Sequence, residues 1–264
     1  MGCLLQVVNA INMLLKRFLL PVGLCGVMSC AGSGHSGLKP LSAINGIIAI
    51  DVGHTHLAPG STSARGRTEF AFNSDLAGQV HDYFADSGLV SVLIGADGNM
   101  ASLSARTDAA ENASARFFLS LHHDSVQPHY LKPWRWQGRN QRYCDDFSGF
   151  SLFVSRKNRN FADSLNCASA IGLALKMQGF RPSTHHAEAL KGENKSWADQ
   201  TNGVYFYDNL VVLKTAEMPA VLLEAGIIVN RADELRLQDA AVRQKIAQAI
   251  GQGLETCGIV TRVK

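Results

Sequence analysis

Ala115-Arg116-Phe117-Phe118-Leu119-Ser120-Leu121-His122-His123-Asp124 is the stretch on which the fold turns. Apolar side chains fill it almost without a break, and it stops on two histidines and an aspartate. A strand with one wet face alternates apolar and polar residues, so a run like this predicts a strand covered on both faces. The same pattern recurs at Gly46–Val52, Leu89–Ile94, Phe150–Val154, Asn209–Leu213 and Val221–Leu223, which with Phe117–His122 makes six predicted strands. Helices are predicted between them, over Thr68–Ser87, Ser104–Ala115, Arg159–Gln178 and Ala241–Cys257. In the first of these, Phe72, Leu76, Val80 and Phe84 recur at helical spacing. Strands alternating with helices predict an α/β fold: a mainly parallel central sheet of about six strands with helices on both faces. Two polar segments, Ser125–Ser148 and Arg181–Gly203, are longer than ordinary connections and read as cleft walls.

The composition of the 264 residues, 46% hydrophobic and 18% charged, excludes collagen-like, coiled-coil and disordered chains. Lysine and arginine number 25 against 22 acidic residues, a net +3, and no basic stripe points to nucleic acid. Near the N-terminus, Lys16 and Arg17 precede an apolar run from Phe18 to Met28. It is about half of the roughly 20 residues a membrane-spanning helix needs, and it fits the core of an export signal over residues 1–30. Val27-Met28-Ser29-Cys30 is similar to a lipobox, in which Cys30 carries a lipid anchor, while Ser29-Cys30-Ala31 suits ordinary cleavage. Either reading places the protein outside the cytoplasm, in the periplasm or cell envelope. Residues 31–45 then form a linker, and 46–264 one folded domain, expected as a monomer. Past the signal, Cys144, Cys167 and Cys257 allow at most one internal disulfide. Cys144–Cys167 is the candidate pair, the alternative being three buried thiols.

In open α/β folds, ligands gather at the carboxyl ends of strands. Three predicted strands end on polar residues: the first at His54, the central one at His122-His123-Asp124, and the last at Glu224. Glu69 opens the first helix, fifteen positions after His54. Two histidines and a carboxylate can hold zinc and leave its fourth position to water, with a second carboxylate as base. Consecutive strand side chains point to opposite faces, so His122 and His123 cannot both reach one ion. Asp124 falls on the His122 side, where it can meet the metal, a water or a ligand histidine.

These residues sit in three motifs that together resemble the amidase 3 family of zinc-dependent N-acetylmuramoyl-L-alanine amidases. The first is Ile50-Asp51-Val52-Gly53-His54 followed by Glu69. The second is Leu103-Ser104-Ala105-Arg106 followed by Ala115 to Asp124, and the third runs from Met218-Pro219 through Glu224 to Asn230. The resemblance covers about residues 46–256. It implies one Zn2+ per chain on His54, Glu69 and His122, Glu224 as the catalytic glutamate, and peptidoglycan as substrate. Residues 46–264 become the amidase catalytic domain, acting in cell-wall remodelling or cell separation. Arg116, His123 and Ala225 depart from the family pattern without touching a ligand position, so they bear on substrate detail.

Two other readings of the function stand beside it, a non-catalytic envelope-binding module and a zinc peptidase acting within the stem. Some relatives carry an inserted helix that plugs the zinc site. Here the matching stretch is Ser155–Asn160, six polar residues, too short for such a helix, so activity without an activator is expected. Arg181–Gly203, with Glu188 and Glu193, is the rival position for a plug. His185-His186-Ala187-Glu188 has an H-x-x-E spacing without the fuller metalloprotease pattern and reads as part of the cleft wall. Trp134, Trp136 and Tyr143 interleave with Arg135, Arg139 and Arg142, either as anchors of a solvated loop or as a glycan-stacking wall.

Overall fold

A computed structural model describes residues 41–43 and 46–262, so the export signal and its cleavage site lie outside the described residues. Strand β1 (Leu41–Ala43) is followed by β2 (Ile47–Val52), α1 (Glu69–Asp86), β3 (Ser91–Ile94), α2 (Leu103–Asn112) and β4 (Ala115–Asp124). A hairpin, β5 (Lys132–Trp136) and β6 (Arg139–Tyr143), leads to β7 (Ser151–Val154) and α3 (Phe161–Met177). Next come β8 (Trp197–Asp199), β9 (Val204–Phe206), α4 (Val211–Thr215) and β10 (Ala220–Ile227). The chain closes with α5 (Arg231–Gln238), α6 (Ala240–Thr256) and β11 (Val260–Arg262).

Seven strands form the main sheet in the order β3-β2-β4-β10-β7-β9-β8. Pairings are parallel from β3 through β2 and β4 to β10, and again between β7 and β9. The β10–β7 and β8–β9 pairings are antiparallel. The sheet is therefore mixed, with a parallel centre. Alternation along β4 divides the core in two. Phe117, Leu119 and Leu121 pack with α1, α3 and α6, whereas Phe118 faces α2 and α4. β10 follows suit, sending Val221 and Leu223 one way and Ala220 and Leu222 the other. Helices thus cover both faces, as the continuous apolar runs require.

Several expectations need correction. Asn209–Leu213 is not a strand: Leu210 caps α4, which buries Val212 and Leu213 in the second core. Its β-branched composition mimics a strand, but these residues follow the Tyr207–Leu210 turn and pack as one short helical turn. The expected linker contains β1, which pairs with β11. The disulfide joins Cys167 to Cys257, not Cys144 to Cys167, and Cys144 is a buried free thiol. Cys167 lies on α3 and Cys257 caps α6, two helices packed side by side. Cys144 lies in a separate small cluster with Val126, Ile227 and Val229. Both long polar segments carry strands, the β5–β6 hairpin in one and β8 in the other.

Candidate active site

β2, β4 and β10 run parallel and end together, and their last residues build the site. His54 lies two residues past β2, at φ +71°, a left-handed backbone unusual for a side-chain-bearing residue. Its carbonyl accepts from Arg106 Nη2 at 2.6 Å, which holds this turn in place. Glu69 is the first residue of α1, where the exposed N–H groups of the helix favour a negative charge. Loop and helix lock reciprocally. Glu69 N–H donates to the Ser61 carbonyl at 2.8 Å, and Ser61 N–H donates to Glu69 Oε2 at 3.0 Å.

The other Glu69 oxygen, Oε1, lies 2.9 Å from His54 Nε2 and 3.0 Å from His122 Nδ1. Although burial raises its pKa, the hydrogen bonds and charges of His122 and His54 prevail and hold the carboxyl well below the usual glutamate range. The three donor atoms lie within 4.8 Å of one another, a group able to hold a metal ion. The glycines of the first loop make room for it. A Cβ on Gly53 would stand 2.3 Å from the His122 ring, and one on Gly60 2.4 Å from Glu69 Oε2.

His122 and His123 part company as strand alternation predicts. His123 points to the α1 face, where its Nδ1 pairs with Asn73 Oδ1 at 2.8 Å and its ring meets Phe72. Burial drives its pKa down to about 3, so it is neutral. Glu224 pairs in register with His122 across the β4–β10 ladder, and both line one cleft with His54. It is half-buried, its Oε2 is shielded from solvent, and that oxygen has no hydrogen-bond partner. Burial, helped by the nearby Asp124 and Glu69 carboxylates, raises its pKa well above the ordinary glutamate value. Asp124 Oδ2 meets His185 and His186.

A cleft of about 470 Å³ opens beside His54, His122 and Glu224, with Leu103, His186 and Tyr207 among its walls. The aromatic hairpin borders the loop leading to Glu69. Trp134 Nε1 donates to the Ala64 carbonyl at 2.9 Å, Arg65 covers both tryptophans, and Arg231 covers Tyr143. These contacts match the anchoring role. Asp51 and Arg106 were visible in the sequence only as motif letters. The structure shows Arg106 donating to Asp51 Oδ1 and to the carbonyls of Val52, His54 and Met100. Asn230, the last motif residue, caps α5 by accepting from the N–H groups of Ala232 and Asp233.

The sequence model of the N-acetylmuramoyl-L-alanine amidases matches residues 48–256, most of the chain. The chain belongs to that family. It is 26% identical over 209 residues to N-acetylmuramoyl-L-alanine amidase LytC of Bacillus subtilis, covering 78% of this chain and 34% of that protein. AmiA of Escherichia coli is 25% identical over 236 residues, covering 84% and 80%. The chain therefore spans about a third of LytC but most of AmiA. Among solved structures, the amidase Ami1 of Mycobacterium smegmatis superposes with a TM-score of 0.64 at 20% identity, covering 82% of this chain and 99% of that one. The catalytic domain of CwlV from Paenibacillus polymyxa gives 0.56 at 24%, covering 80% and 96%. These likenesses confirm the α/β fold with its parallel-centred sheet.

Proposed function

We propose that this amidase hydrolyses the bond between N-acetylmuramic acid and the first L-alanine of the peptidoglycan stem, using one zinc ion and Glu224. The observation that carries this reading is the Glu224–His122 pairing in register. It sets a carboxylate with an unpaired oxygen beside the group His54, Glu69 and His122. Two imidazoles and one ionised carboxylate are a donor set suited to zinc with an open fourth position. Bound there, zinc would polarise the amide carbonyl and acidify a water.

The chain's own residues supply the rest. Glu224 Oε2 takes the proton of the attacking water and delivers it to the departing amide nitrogen. A carboxyl with a raised pKa suits both halves of that transfer. The Arg106 bonds fix the His54 turn, and Ser61 fixes Glu69, so the ligand atoms are set before substrate arrives. The cleft walls are apolar at Leu103 and Tyr207, which gives the substrate an apolar surface to lie against.

The reading extends to an exported, monomeric enzyme of the cell envelope that remodels the wall or separates cells, with a lipid on Cys30 as one mode of attachment. Among the described residues no helix is long and apolar enough to cross a membrane. Mass spectrometry of purified peptidoglycan digested with the zinc-loaded protein is the test. Intact glycan strands with free stems beginning at L-alanine are expected. Cuts within the stem would make it a peptidase, and binding without turnover an envelope-binding module.

A further inference from the structure

His185 and His186 take no part in the reaction proposed above, yet both rings aim at one atom. Their Nε2 atoms lie 3.2 Å and 2.7 Å from Asp124 Oδ2. The three atoms fall within 4.8 Å of one another, the same convergence as in the His54, Glu69 and His122 group. Every other polar atom of the trio is tied. His185 Nδ1 pairs with Ser183 Oγ at 2.8 Å, and His186 Nδ1 with Glu193 Oε2 at 2.7 Å. Gln127 Nε2 donates to the second Glu193 oxygen at 2.6 Å, and Ser125 N–H donates to Asp124 Oδ1 at 2.8 Å. Outer bonds of this kind fix the tautomer of a metal-binding histidine and point its free nitrogen at the ion.

A hydrogen-bonded cluster alone leaves one atom unexplained. His185 is 2% exposed, and its Nε2 has no hydrogen-bond partner although it faces Asp124. Native proteins rarely leave such an atom orphaned in the interior. Asp124 Oδ2 bonds His186 at 2.7 Å, but the 3.2 Å approach of His185 Nε2 to the same oxygen forms no hydrogen bond; a cation between the three would satisfy all of them.

We propose that Asp124, His185 and His186 form a second divalent-metal site, separate from the His54, Glu69 and His122 group. Two imidazole nitrogens and a carboxylate oxygen suit zinc, and three protein ligands leave a position open. His186 borders the cleft and Asp124 a neighbouring hollow, and Glu224 borders both, so the second ion lies in the wall between them. It pins the segment carrying His185 and His186 to the end of β4. The inference stands on these contacts alone and does not depend on the reaction assigned to the first site.

Zinc per chain, measured by mass spectrometry after dialysis against buffered free zinc, tests it on the whole folded protein. Two ions are expected in wild type, and one each in His122→Ala, His185→Ala and Asp124→Asn. Asp124→Asn keeps the side-chain size, so it decides the matter if His185→Ala does not fold. A wild-type protein with one ion, lost in His122→Ala and kept in Asp124→Asn, overturns the second site and leaves the first standing. One ion lost in Asp124→Asn and kept in His122→Ala supports this site and overturns the first. No ion in wild type overturns both.

Discussion

Arg106 Nη1 lies 2.6 Å from Asp51 Oδ1, and both side chains are about 2% exposed. The pair stands beneath the turn that carries His54, because the same guanidinium donates to the carbonyls of Val52 and His54. Ser120 Oγ donates to the second Asp51 oxygen at 2.7 Å and completes the network. Breaking such a pair by removing one partner strands a buried charge, at about 3–5 kcal/mol. Arg106→Met is therefore expected to lower the melting temperature by on the order of 10 °C and to weaken zinc binding as the His54 turn loosens. Calorimetry together with zinc titration checks both; a variant within about 1 kcal/mol of wild type contradicts the assigned role.

Glu224→Gln is expected to cut turnover by roughly 10²–10⁴-fold while the first site keeps its zinc, since the amide retains size but cannot take a proton. Muropeptide release and metal content are read on the same sample. Loss of zinc at that site would make Glu224 a ligand instead.

His54→Ala and His122→Ala are each expected to empty the first site. His123→Ala should leave it filled, because this ring lies on the α1 face against Phe72 and Asn73. The cost of that variant is stability, about 1–3 kcal/mol for the orphaned Asn73 side chain. A folded His123→Ala protein lacking first-site zinc is the result that sinks this geometry.

Strand alternation and the ends of β2, β4 and β10 were legible because parallel central strands are apolar on both faces and their polar ends stand out. His54 and Glu224 stood out for the same reason, Glu69 only by its place at the start of the first helix, and the separation of His122 from His123 followed from a period of two. What escaped the sequence depends on packing between distant elements. The Cys167–Cys257 bond requires knowing that α3 lies against α6, and spacing carries no such information. Val211–Thr215 is apolar and β-branched in composition, yet tertiary packing makes it helical. The partners of Asp124 come from a segment that sequence could read only as a long loop.

Gly53→Ala tests how tightly the first site is packed. Its new methyl would stand 2.3 Å from the His122 ring, too close for either to stay. First-site zinc affinity is expected to fall by at least tenfold, with a far-UV circular dichroism spectrum like that of wild type. Unchanged affinity would mean that the ring has room to move.

Removing the Cys167–Cys257 bond by a double serine substitution is expected to cost about 2–5 kcal/mol, since it closes a 90-residue separation. The bond lies among α3 and α6, on the face away from α2 and α4, so turnover below the melting point should hold. Denaturant midpoints and initial rates separate the two effects.

The intact protein is expected to cleave peptidoglycan without an activator. Glu193 is engaged by His186 and Gln127, and Glu188 accepts from Tyr130, so neither carboxylate is free to plug the first site. Ser155–Asn160 is a tight turn, held by Arg156 on Asp208 and by Asn158 on three carbonyls. Glu193→Gln should leave the rate unraised, and a many-fold gain would identify Glu193 as an inhibitory contact.

The pairing of β1 with β11 has a geometric consequence for how the molecule can be attached to anything else. β1 leads into the starting end of β2, and His54 follows the finishing end, six strand residues or roughly 20 Å away. Leu41 and Arg262 are register partners, so both ends of the described chain lie side by side. A leash, carrier or resin joined through either residue therefore grips the molecule at the same place, so the two ends offer one handle and not two.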